Sequence, residues 1–208
     1  MRLIKPPFLI KKIIYPGLHW KVQTDRKEIF LTFDDGPHPE ITPKVLEILD
    51  KYEAKATFFC VGENVKKYPE IYRMILSRGH QTGNHTFNHL KGWNTPTTKY
   101  AENVYLASTH IRSSLFRPPH GRIKRSQLKI LKQQYHIIMW SVLTYDWDSK
   151  LSGEQCLSTA IQSSKAGSIV VFHDSLKAKK NMLYALPRFL EHFTEQDYQF
   201  FPIDPILL

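Results

Sequence analysis

A chain of 208 residues suits one domain with a substantial core, or two small ones at most, and 42% hydrophobic with 23% charged residues is an ordinary globular composition. The net charge of +10 invites an anionic partner, yet Lys and Arg are scattered and neither zinc-finger spacing nor an aromatic-basic RNA signature accompanies them, so nucleic acid is not expected. Cys60 and Cys156 make no disulfide framework, and Cys60, inside an apolar run, reads as a small buried hydrophobe.

Residues 1–27 read as a basic and apolar arm. Phe8, Leu9, Ile10, Ile13 and Ile14 are interrupted by Lys5, Lys11 and Lys12, well short of a membrane span, and no small-residue cleavage site follows. The expectation is an arm that packs on the domain or lies on a membrane surface, in a protein that is cytoplasmic or peripherally associated with the envelope. Residues 28–208 form the domain proper, taken as a monomer.

Short apolar runs then alternate with helical patterns. Strands are expected at Glu28–Phe33, Ala56–Val61, His80–His85, Leu115–Pro118, His136–Val142, Ser168–His173 and Tyr198–Ile203. Helices are expected at Thr42–Tyr52, Pro69–Ser77 (stopped by Gly79), Thr98–Ser114, Ser126–Gln134, Gly153–Ala166 and Leu183–Phe193. Alternation repeated about seven times predicts an α/β fold, a barrel or sheet of parallel strands. An open doubly wound sheet is the alternative, although the first strand-to-helix turn lacks a Gly-rich phosphate fingerprint.

The polar residues choose one end of these strands. Asp34 and Asp35 follow the first, His85 and His89 the third, Arg117 ends the fourth, Asp146 follows the fifth and His173 ends the sixth. In a barrel of parallel strands the C-terminal ends form the rim where substrate sites are built.

Asp34-Asp35 ends an apolar run and is followed by Gly36-Pro37, which forces a turn. Adjacent carboxylates repel unless a cation or shared proton relieves them, and extended backbone points them opposite ways unless it bends between them. A plain strand-ending Asx turn reads the same residues. His85 and His89, four apart, would project from one face of a helical turn and could share a metal. With a carboxylate they make a two-His, one-Asp set suited to zinc or another divalent first-row ion.

Arg117-Pro118-Pro119-His120-Gly121 has a rigid extended backbone that could aim an N–H at a developing oxyanion, while Arg117 could hold one of the acids ionised. Asp146-Trp147 places an acid beside an indole, and His173-Asp174 closes the most hydrophobic strand. His173 could serve as a general acid if Asp146 raises its pKa. Taken singly, each of these also reads as an ordinary loop or strand end.

In order, Thr32-Phe33-Asp34-Asp35-Gly36-Pro37, His85-Thr86-Phe87-Asn88-His89, Arg117-Pro118-Pro119-His120-Gly121, Asp146-Trp147 and Val171-Phe172-His173-Asp174 resemble the five motifs of the polysaccharide deacetylase family (NodB-homology domains, carbohydrate esterase family four). The run from Ala56 to Asn64 is also family-like, and the resemblance covers about residues 28–203. It implies a distorted (β/α) barrel and metal-dependent removal of N-acetyl groups from amino sugars of a peptidoglycan- or chitin-like glycan. It assigns Asp34 as general base, Asp35, His85 and His89 as ligands of one divalent ion (zinc first, with cobalt, nickel and manganese as alternatives), and Arg117 as the group that holds Asp34. The His120 N–H would stabilise the oxyanion, Asp146 would tune His173 as general acid, and Trp147 and Val171 would line the acetyl pocket. The chain departs from the pattern at His120, where Tyr is usual, and at Leu143, where an Asp is usual. Hydrolysis of another C–N bond, in a cyclic imide or formamide, is the alternative chemistry, and a non-catalytic glycan-binding barrel is the alternative class.

Overall fold

The computed structural model describes residues 17–208. The greater part of the expected arm, residues 1–16, lies outside the described residues. Strand β1 (Glu28–Asp34) is flanked by β2 (Ala56–Cys60) and β7 (Ile169–His173), and the parallel sheet runs in the order β5-β4-β3-β2-β1-β7-β6. The other members are β3 (Gln81–Asn84), β4 (Leu115–Phe116), β5 (His136–Ile137) and β6 (Val142–Leu143). A short β8 (Gln199–Phe200) pairs with Glu28 and Ile29, before the pairing of β1 with β2 begins at Leu31. The seven-stranded sheet curls into a half-barrel wrapped by helices.

Local chemistry accounts for the elements. β1 and β7 are apolar runs covered on both faces, and Phe33 stacks on Phe58 with ring centroids 4.9 Å apart. Helix α1 (Thr42–Lys51) carries Pro43 in its first turn and buries Val45, Leu46 and Leu49. Helix α6 (Gly153–Ser163) opens with a capping box, Ser152 Oγ accepting from Gln155 N at 3.1 Å while Gln155 Oε1 accepts from Ser152 N at 2.9 Å. It packs along α7 (Lys179–Thr194), which begins earlier than the expected Leu183. Pro187 sits on the outer face of α7, and burial of Met182, Ala185, Leu186, Phe189 and Leu190 outweighs its lost hydrogen bond.

Several expectations are corrected. The single strand expected over His136–Val142 is two, because Ile138 N bonds Phe116 O at 2.8 Å whereas Ser141 N bonds Ile169 O at 3.0 Å. The backbone thus leaves β4 on one edge of the half-barrel and joins β7 on the other. Asp146 therefore follows the sixth strand and His173 ends the seventh. Helix α2 (Gly62–Lys67) was not foreseen, since six residues with one apolar anchor, Val65, carry no readable period. Helix α3 (Pro69–Ser77) stands as expected, while α4 (Thr97–Ser108) ends six residues early and α5 spans Arg125–Leu131. Segment 18–22 touches both edges of the opening, with His19 bridging Ile138 and Lys21 bridging Ser168. Leu18 and Trp20 are buried there. No helix among the described residues is long and apolar enough to cross a membrane.

Candidate active site

Strand register brings the polar residues level. Asp34 lies opposite His173 on β7 and Phe59 on β2, while Asn84 lies opposite Cys60 and Phe116. Residues one step beyond those ends, His85 and Arg117, therefore meet Asp34 at the same rim. A cavity of about 830 Å³ opens above them, lined by Asp34, Asp35, His85, His89, His120 and His173 among others.

The turn after β1 separates the two acids. Asp34 keeps strand geometry, whereas Asp35 adopts φ 80°, a left-handed conformation that Asp tolerates better than most residues. Asn64 Nδ2 donates to Asp35 O at 2.8 Å, and Gly36 N donates to Asp174 Oδ1 at 3.0 Å. A Cβ on Gly36 would stand 2.0 Å from Asp174 Oδ2, so only glycine fits there. Asp174 also accepts from Thr42 Oγ1 at 2.5 Å, and burial pushes its carboxyl up to about 7.

Asp34 is buried and accepts from Arg117 NH1 at 2.7 Å. Arg117 is fully buried, and its other hydrogen bonds go to Thr32 Oγ1 (2.7 Å), Ile138 O (3.2 Å) and Met139 O (2.9 Å), with Phe59 beneath the guanidinium at 4.1 Å. The carbonyls of residues 138 and 139 come from the segment that crosses between β5 and β6. That crossover supplies the acceptors that a buried guanidinium requires.

Asp35 Oδ1 lies 3.1 Å from His89 Nε2 and 3.7 Å from His85 Nε2. Burial works against ionisation of Asp35, but the His89 hydrogen bond and the His173 and His85 imidazoles prevail and hold its carboxyl well below the usual carboxylate range. Burial, aided by His89 and Arg117, pushes His85 down to about 4, leaving it neutral at pH 7. Its Nδ1–H donates to Arg117 O at 2.8 Å, so Nε2 presents a lone pair toward Asp35. One donor atom from each of Asp35, His85 and His89 falls within 4.8 Å of the others.

The helical turn expected for the two histidines is absent. His85–His89 is a loop in which Thr86 (φ 65°) and His89 (φ 57°) are left-handed. The loop is pinned by Gly62 N and Glu63 N donating to Thr86 O and Phe87 O, and by Phe87 N donating to Asn103 Oδ1. Anchoring to α2 and α4 replaces helical geometry in converging the two rings.

Across the cavity His173 Nδ1 lies 2.8 Å from Asp146 Oδ1, while His173 N donates to Asp146 Oδ2, also at 2.8 Å. Asn181 Nδ2 donates to Asp146 O and Leu151 O at 3.1 Å and fixes that loop. Burial opposes protonation of His173, but the Asp146 charge and hydrogen bond overcome it, with Asp35 and Asp34 assisting, and raise it to about 9. Trp147 stands edge-on to His173 with centroids 4.4 Å apart.

His120 (φ 59°) packs its ring against His89 at 4.7 Å, and burial, with His89 and the Lys91 cation, lowers it to about 4. Leu143 lines the cavity, whereas Val171 is fully buried within β7 and does not reach it. Val171 is therefore not a wall of the pocket. Trp20, Trp93 and Trp140, which sequence reasoning passed over, are in the lining with Trp147. The tryptophan count was visible, but nothing local joined positions 20, 93 and 140. Asp174 and Asn64 were visible within the motifs, with no cue to their role in holding the turn.

The family model for polysaccharide deacetylase matches residues 21–136. The chain is 33% identical to a peptidoglycan-N-acetylglucosamine deacetylase of Bacillus cereus, over 96% of this chain and 98% of that one. It is 32% identical to a chitooligosaccharide deacetylase of Azorhizobium caulinodans, over 74% of this chain and 77% of that one. A crystal structure of a peptidoglycan N-acetylglucosamine deacetylase bound to a naphthalenyl N-oxidanyl-benzamide superposes with a TM-score of 0.83 at 29% identity, covering 92% of both chains.

Proposed function

The chain belongs to the polysaccharide deacetylase family, and from that premise we propose that it is a metal-dependent N-deacetylase of a peptidoglycan-type glycan. Removal of N-acetyl groups from glycan amino sugars is its activity class. The observation that supports the reading most is the meeting of three unlike units, Asp34–Arg117, Asp35–His85–His89 and Asp146–His173, on one cavity.

Asp35, His85 and His89 would hold one divalent ion. The fit rests on an ionised carboxylate and a neutral imidazole whose Nε2 is left free by its Nδ1 hydrogen bond. This donor set favours zinc, with cobalt, nickel or manganese as alternatives. Such an ion, when bound, supplies Lewis-acid chemistry that polarises the acetamide carbonyl and eases deprotonation of water.

The residues of the chain do the proton work. Asp34, held by the Arg117 hydrogen bond, takes a proton as water adds to the acetyl carbon. The His120 backbone N–H donates to the oxyanion that develops. His173, protonated below about pH 9, gives its proton to the departing nitrogen as the C–N bond breaks, leaving acetate and a free amine.

Acetate release from N-acetylglucosamine oligomers and from peptidoglycan tests the proposal, together with metal analysis. Turnover should vanish after chelation and return with zinc. Asp34→Asn should retain the metal and lose on the order of 10²- to 10⁴-fold in turnover. Near-normal turnover in that variant sinks Asp34 as base, and full turnover without metal sinks the metal dependence.

A further inference from the structure

Lys and Arg are scattered along the chain, but the acids are not. Residues 71–145 hold eleven of the 29 Lys and Arg and one of the 19 acids, Glu102, so this stretch carries the whole net charge of +10. The rest of the chain, with eighteen of each kind, is neutral.

The imbalance comes to the surface on α5. One side of that helix buries Gln127, Leu128 and Leu131, while Arg125, Lys129 and Lys132 recur at i, i+4 and i+7 on the exposed side. The preceding segment of chain, joined to α5 by the Thr97 Oγ1–Ser126 Oγ contact at 2.6 Å, adds exposed Lys91 and Lys99. Among the described residues, none of Lys91, Lys99, Arg125 and Lys129 is ion-paired with a carboxylate. The stripe works against its own helix. Arg125 and Lys129 repel each other one turn apart, and the first turn, where the helix dipole favours an acid, has none. Folding gains nothing from such a row of cations, whereas an anionic surface does.

The positive surface continues beyond the end of α5. A second cavity, of about 320 Å³, is lined by Gly17, His19, Lys132 and His136 among others, with no acid in its wall. It shares no lining residue with the catalytic cavity. Gly17 lies against Lys132, where a Cβ would stand 2.8 Å from Nζ, so residues 1–16 join the domain at this end of the stripe. Their sequence combines Phe8, Leu9, Ile10, Ile13 and Ile14 with Lys5, Lys11 and Lys12. A soluble polyanion would engage the lysines and leave the apolar side chains without a partner. A bilayer engages both, and an apolar insertion beside a polybasic surface gives stable attachment where either alone is marginal.

We propose that the outer face of α5, with Arg125, Lys129 and Lys132 at its centre and Lys91 and Lys99 beside it, docks this domain on an anionic phospholipid bilayer. The proposal stands apart from the N-deacetylase reading, since none of these five side chains lines the catalytic cavity.

Co-sedimentation of the full chain with vesicles tests it, using equal parts of phosphatidylglycerol and phosphatidylcholine against phosphatidylcholine alone. Binding should need the anionic lipid and weaken as salt rises. Arg125→Gln and Lys129→Gln should each lower the partition coefficient by about fivefold and the double variant by about 25-fold, while acetate release from a soluble oligomer stays unchanged. Lys150→Gln and Lys165→Gln, exposed positions in the neutral part of the chain, should leave binding as it is. Equal losses at those two positions would overturn the proposal, because net charge and not this face would then attract the lipid. Undiminished binding in the double variant, or equal binding to phosphatidylcholine alone, overturns it too. So does equal affinity for a soluble poly(glycerol phosphate) at matched phosphate concentration, which would make the partner a polymer.

Discussion

The floor and the rim of the cavity are built on opposite principles. On the floor each charge has several partners. Arg117 bonds two side chains and two carbonyls, Asp146 bonds both the ring and the backbone of His173, and the turn between Asp34 and Asp35 is held by Asn64 and Asp174. At the rim Trp93 and Arg122 are exposed, and the Arg122 charge has no carboxylate partner among the described residues. Groups taken out of water must be compensated inside the protein, so the floor residues proposed for the chemistry also serve the fold. Rim residues remain hydrated, so they are free to select substrate at little cost to stability.

This contrast breaks most readily at Arg117. Arg117→Met leaves Asp34 buried without its cation, which should cost about 3–5 kcal/mol and lower the melting temperature by roughly 10 °C, with turnover lost as well. Calorimetry and acetate release would check both. A variant that melts normally and loses only activity would show that the floor is not structural.

Asp146→Asn should reduce turnover by about 10²-fold, with its clearest signature in the pH profile. Since Asp146 is the largest influence raising His173, the alkaline limb should move to lower pH in the variant. The sign for stability follows from the folded pKa lying above the unfolded value near 6.5. The stabilising pair is fully present below the unfolded value and is lost as pH rises through about 9. An alkaline limb that stays in place would remove His173 as the general acid.

A smaller effect is expected at Asp174. Asp174→Ala frees Gly36 N and Thr42 and should cost about 1–3 kcal/mol, with metal affinity falling by about tenfold as Asp35 loses its fixed turn. Metal titration alongside melting curves separates the two. Unchanged metal affinity would make Asp174 a folding residue only. The smallest stability effect belongs to the rim, where Arg122→Gln should shift unfolding free energy by no more than about 0.5 kcal/mol. A larger loss would mean that the rim, too, is structural.

Much of this was legible in residue order. The apolar run of β1 stopped by Gly36-Pro37, the continuous run of β7, and the recurrence of Asp, His and Arg after successive strands pointed to one rim of a parallel barrel. Strand ends are readable because parallel strands put all their C-termini on one side, so position along the strand translates directly into position in space. The His85–His89 loop was misread as helical because spacing alone cannot reveal left-handed residues stabilised by distant partners such as Asn103. Val171 was assigned to the pocket by position in a motif; period-2 alternation puts it on the same face of β7 as His173, but one step deeper, where it is fully buried beneath the cavity lining.

What the sequence determined by itself was the fold class and the candidate residues for the chemistry, because hydrophobic period and the nature of side-chain groups are local properties. What only the tertiary structure decided was which atoms those groups meet. The carbonyls of Ile138 and Met139 that satisfy Arg117 exist there because the chain crosses from β4 to β7 between them. The four tryptophans share one cavity because register and loop packing bring positions 20, 93, 140 and 147 together. Such meetings are long-range, and no local pattern of residues encodes them.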